Sequence, residues 1–135
     1  MTSPKKDIIV AAILKADGDL WNDYDTSVNN AWNVILSSGS SEGVRLGQSF
    51  LIYTLGQEIF DPINGNSLGF YEVVRGKGEV IQVQDNLCTI RSKETRAYSV
   101  PSTNALAVAA GMPSTKEERE IPFPLIRVGD LARRI

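Results

Sequence analysis

The sequence predicts an all-β fold built as a small barrel, and three observations carry that expectation. Residues 31–94 break into apolar runs of about four to eight residues bounded by Gly, Asn, Asp or Ser, the spacing of short strands in a sandwich or barrel. No run in this region sustains a helical period, which argues against a βαβ unit. Finally, Gly56, Gly65, Gly69, Gly76 and Gly78 crowd the stretch "GQEIFDPINGNSLGFYEVVRGKGEV". A phosphate-binding loop requires a helix after its glycines. Here "FYEVV" and "EVIQV" follow instead, both strand sequences, so the glycines read as turns and bulges.

Taken in order, the chain starts with "KKDIIVAAILK", which imitates a weak signal peptide, but Asp7 interrupts it and the apolar run is short. A first strand over Ile8–Lys15 is the better reading, and a cytoplasmic location goes with it. "ADGDLWNDYDTSVNN" is acidic and rich in Asn and Asp, so a long hairpin loop follows, carrying Trp21 and Tyr24 as docking or contact aromatics. "AWNVILSSG", "VRLGQSFLIYTL", "FYEVVRG", "GEVIQVQ" and "LCTIRS" are the core strands. In "DPINGNSLG", Pro62 presets a turn and Asn64-Gly65 tolerates positive φ. Gly76 and Gly78 flank Lys77 where a strand bends at a barrel corner. Residues 95–122 read as a helical or irregular arm, with Ser114 and Glu117 at capping-box spacing for one helical turn. "IPFPLIRVGDLARRI" is extended again, giving a closing strand within 123–135. "GVRLGQSFL" and "LIRVGDLAR" echo each other, as two equivalent corners with Gly47 and Gly129 at the kink.

With 135 residues the chain suits a single domain, residues 1–135 with a core at 31–94. A net charge of −2 gives no reason to expect non-specific attraction to nucleic acid or anionic lipid. No apolar run is long enough to span a bilayer. The chain has no histidine and a single cysteine, Cys88. That removes His-based triads, His metal clusters and a Cys-rich zinc site within one chain, so no metal or cofactor is expected. Alternation puts Cys88 beside Ile90 as a small buried hydrophobe. Glu58, Asp61 and Glu72 are carboxylates near one loop, yet nothing fixes the separation that acid–base catalysis needs.

The stretch from Asn33 to Ile90, through "GSSEGVRLGQSFLIY", "DPINGNSLG" and "GEVIQVQDNLCTI", resembles a bacterial β-barrel module similar to the C-terminal domain of the flagellar assembly protein T. The resemblance implies a compact SH3-like or OB-like barrel used for assembly or binding rather than catalysis. The expected function is therefore that of a non-enzymatic module that binds a protein partner or self-associates. Its candidate contact residues are Trp21, Tyr24, Asp61, Asn64, Arg75 and Lys77. The alternative is a single-stranded nucleic-acid binder using Tyr53, Phe70 and Tyr71 with Arg45, Arg75, Lys77, Arg91, Lys93 and Arg96.

Overall fold

The computed structural model describes residues 7–15, 18–21, 30–100, 111 and 115–135. Among these residues nine strands run β1 (Ile8–Leu14), β2 (Leu20–Trp21), β3 (Asn33–Leu36), β4 (Ser49–Phe60), β5 (Ser67–Val83), β6 (Cys88–Ser92), β7 (Glu94–Val100), β8 (Thr115–Ile121) and β9 (Leu131–Arg134). A short 3-10 turn, Ser40–Glu42, lies between β3 and β4. Six antiparallel strands close a ring in the order β1-β3-β6-β5-β4-β9, with β9 pairing both β4 and β1, while β2 flanks β1. The small all-β barrel expected from the short apolar runs is thus present. Alternation does the work: Val10, Val34, Leu36, Phe50, Ile52, Val80, Cys88 and Ile90 point inward and are buried.

"FYEVVRG" and "GEVIQVQ" form one strand, β5, which bends where Arg75 is the extra residue between the pairs Ile52–Gly76 and Tyr53–Val74. At this corner Phe123, from the connection between β8 and β9, drops onto the glycines. A Cβ on Gly76 would lie 2.7 Å from Phe123 Cδ1, and one on Gly78 3.1 Å from Phe123 Cζ. These glycines are there for close approach.

The helical or irregular arm expected at 95–122 is corrected by the structure. Its described parts, Glu94–Val100 and Thr115–Ile121, are the two strands of a ribbon. Glu117 lies inside β8 opposite Tyr98, so no helical turn starts there. Ser114 and residues 101–110 lie outside the described residues. Spacing favoured a cap, but the seven-pair antiparallel ladder with β7 overrides it.

The echo between the two Arg-apolar-Gly motifs extends to the atoms. The Arg45 N–H donates to Gln48 Oε1 at 2.9 Å and the Arg127 N–H to Asp130 Oδ2 at 2.9 Å. Gly47 and Gly129 have φ of 84° and 97°, as the third position of such a turn requires. The Gly47 N–H donates to Val80 O and the Val80 N–H to Gln48 O; Gly129, Val10 and Asp130 repeat the arrangement. The likeness continues through the ring. Val80–Ile90, Gln82–Thr89 and Val83–Cys88 in β5–β6 match Val10–Leu36, Ala12–Ile35 and Ile13–Val34 in β1–β3, including the single-residue bulge after the first pair. The ring is two three-stranded halves, β4-β5-β6 and β9-β1-β3, related by a pseudo-twofold axis through the pairs Leu51–Arg133 and Ile35–Thr89.

Candidate interaction surface

Strand directions sort the connections between the two ends of the ring. At the upper end, where β1 finishes, lie the segment joining β1 to β3, the β4–β5 arm beyond Tyr53 and Val74, and the β7–β8 ribbon. The lower end carries the β3–β4 connection, the Gln84–Leu87 turn, Ile8 and Ile135. The described parts of these three segments therefore leave the ring at one end.

The β4–β5 arm is a ribbon on the order of 20 Å long, from the rise of an extended strand. Leu55 pairs with Glu72 and Glu58 with Phe70, so these share a face with Tyr53 and Val74; Ile59, Tyr71 and Val73 fall on the other. Leu55, Ile59, Phe60, Ile63, Leu68, Phe70, Tyr71 and Val74 are all exposed, Ile63 at the tip by 94%. The arm is thus apolar on both faces. Its tip is built by Asp61, whose carboxylate accepts from the N–H groups of Ile63 (2.8 Å) and Asn64 (3.4 Å), and by Asn64, whose Oδ1 accepts from the Asn66 N–H. At the base, Arg133 clamps Glu72 through both carboxylate oxygens, at 2.7 and 2.6 Å, and lies over the Tyr53 ring.

The β7–β8 ribbon is pinned by Ser92, whose buried hydroxyl donates to Ile121 O and accepts from the Glu94 N–H. The Lys77 N–H donates to Glu94 Oε1 at 2.6 Å. Glu120 receives Arg91 at 2.8 Å and Lys93 at 3.4 Å, and these hydrogen bonds hold its carboxyl below the ordinary value. Arg91 also lies over the ring of Trp32.

The sequence-derived contact residues are not one cluster. Asp61 and Asn64 sit at the arm's tip, where they make the turn; Arg75 and Lys77 sit at its base. Trp21 is half-buried against the core with Lys15 over its ring, and Tyr24 lies outside the described residues. Trp21 Nε1 and Asn33 Oδ1 are buried without a hydrogen-bond partner among the described residues. The residues of the nucleic-acid alternative are dispersed as well. Arg45 is at the lower end, Phe70 and Tyr71 face opposite sides of the arm, and Arg91 and Lys93 are ion-paired, both with Glu120 and Lys93 also with Glu79. Sequence reasoning pointed to the 61–69 loop, which holds Ile63 and Leu68, but missed the exposed Leu55, Ile59 and Phe60 on the strand leading to it. Their signal was apolar residues on both parities of one run, flanking a turn too polar to be buried.

Cys88 is buried beside Ile90, and burial pushes its thiol up to about 11. Among the described residues no three metal-ligating side chains converge, and no helix is long and apolar enough to cross a membrane. A cavity of about 670 Å³ runs beside β9, lined by Asp7, Ile8, Ser37, Ser38, Glu42, Tyr53, Ala132, Arg133 and Arg134. No family model matches the chain, and no curated protein or solved structure matches it.

Proposed function

We propose that the chain is a non-enzymatic binding or assembly module that works through the upper end of its barrel, with the β4–β5 arm as the principal contact. The observation that carries this reading is the arm's apolar surface on both faces. Eight exposed apolar side chains in one projection go beyond the scattered surface residues of an ordinary monomer, whose largest patches run to roughly 300–600 Å². A stable fold gains nothing from holding them in water, whereas an interface does. Of the three carboxylates weighed for catalysis, two have structural duties here, Asp61 in the turn and Glu72 in the clamp. The nucleic-acid alternative draws less support, because its aromatics and cations share no groove.

Light scattering combined with pull-downs from cells tests the proposal. The wild-type chain is expected to form a complex that the double substitution Phe60→Asp and Ile63→Asp abolishes while the melting curve stays unchanged. A monomeric protein that captures nothing counts against it.

A further inference from the structure

The chain's acidic residues are gathered at one end of the molecule. The three segments that leave the ring at the upper end, 16–30, 54–74 and 94–121, hold 11 of its 16 acidic residues and 3 of its 14 basic ones. Their net charge is −8, against −2 for the whole chain. Between 54 and 74 the arm carries Glu58, Asp61 and Glu72 and no basic residue. Arg133, reaching in from β9, pairs with Glu72. Glu58, Asp61 and the ribbon's Glu118 have no Lys or Arg within ion-pair distance among the described residues. Glu58 is exposed, pairs with Phe70 and shares a face with Leu55, while Asp61 sits two residues from Ile63 at the tip. Negative charge is thus set among the arm's apolar side chains rather than apart from them. Those eight side chains expose on the order of 1,000 Å² together, which exceeds the roughly 800 Å² that one side of a standard interface buries.

We propose that the arm's partner is a cationic polypeptide that presents apolar side chains between its Lys or Arg residues. This rests on the binding reading above and names the chemistry of the partner. Apolar contact supplies the buried area, while the acidic end steers a basic partner in and fixes its register on Glu58 and Asp61. The same charge turns other occupants away. A nucleic acid or an anionic membrane is repelled, and a second copy docking arm against arm sets like charges together.

Fluorescence anisotropy with three labelled peptides tests it: alternating Lys-Leu, alternating Glu-Leu and all-Lys, each about seven residues long to match the arm at the rise of an extended strand. The full chain is expected to bind the Lys-Leu peptide, the all-Lys peptide at least about tenfold more weakly, and the Glu-Leu peptide not at all. Phe60→Ser with Ile63→Ser should weaken Lys-Leu binding about tenfold and leave the all-Lys peptide unaffected. Glu58→Lys should weaken it roughly threefold to tenfold, the reach of reversing one exposed charge. All three positions are exposed, and circular dichroism verifies folding. A chain that ignores the Lys-Leu peptide overturns the proposal, as does binding that either variant leaves unchanged. Glu-Leu binding as tight as Lys-Leu, lost with Phe60→Ser and Ile63→Ser, sinks the cationic partner and leaves the arm as a binding surface. Wild-type mass that grows with concentration and is lost with the same pair makes the partner a second copy, which also overturns it. Where no peptide binds, the light-scattering test above separates the two readings: a complex through the arm keeps the binding module, and a monomer that captures nothing sinks both.

Discussion

An added Cβ at Gly78 would meet Ile90 Cδ1 at 2.9 Å, Arg91 O at 3.0 Å and Phe123 Cζ at 3.1 Å. Two of these belong to core side chains and one to backbone, so the ring can yield only by shifting β6 or lifting Phe123. Gly78→Ala is accordingly expected to cost about 1–3 kcal/mol, the range for overpacking, read as a lower urea midpoint. An unchanged midpoint would show that Phe123 is not the fixed plug described above. Asp130 makes a second residue-scale case. It is buried in the upper turn, and burial pushes its carboxyl up, against the opposing pull of the Arg127 N–H and the Arg75 and Arg127 charges. A raised folded pKa means that the protonated form favours the folded state. This contribution is full below the unfolded pKa and is lost as pH rises through the folded one. Asp130→Asn keeps an oxygen for the Arg127 N–H and removes the charge, so its stability relative to wild type should improve from acid to neutral pH in parallel melts; a gap independent of pH would refute the assignment. Cys88, with its thiol at about 11, should resist a thiol reagent at pH 8 until the barrel is unfolded.

At the scale of elements, the strands of the ring were legible in the sequence because each alternates and ends on turn residues. β6 alternates around Cys88 and Ile90, and β3 around Val34 and Leu36. β8 was not legible: "TKEEREI" has almost no apolar face. Its strand exists because β7 pairs with it and Ser92, Arg91 and Lys93 tie its end down, which are long-range contacts no local pattern records. The candidate site fared similarly. The tip loop was readable from Asp61 and Asn64, yet their side chains turned out to shape the loop, and the exposed surface around them is apolar. The clamp of Arg133 on Glu72 belongs to this scale too. Arg133→Ala is expected to speed amide exchange of residues 55–60 and 67–72 while the ring amides stay protected; faster exchange throughout would make the clamp a ring contact instead.

For the whole molecule, the twofold relation between halves makes a topological prediction. The β4–β5 arm leaves the ring at the position that, in the other half, lies between the end of β9 and the start of β1. Joining Ile135 to Asp7 through a short turn and opening the chain between Asn64 and Gly65 should therefore give the same barrel. Loop-closure arguments put the change within about 1–2 kcal/mol. A permuted chain without cooperative unfolding would mean that the halves are alike in register but not in folding. The Arg-Leu-Gly-Gln and Arg-Val-Gly-Asp turns were the only trace of this relation visible along the chain, since the strands they feed share pairing and bulge positions rather than residues.

A closed ring offers no unpaired strand margin, so any templated stacking of this protein must begin on the arms, where the ladder of β4 beyond Tyr53 has one bare side. There the two-against-one step at Gly56–Gln57 and the extra Leu68 kink the ribbon and spoil it as a flat template. Deleting Gln57 would straighten that margin beside Ile59 and Phe60, and thioflavin-positive fibrils should then appear from protein whose barrel is still folded.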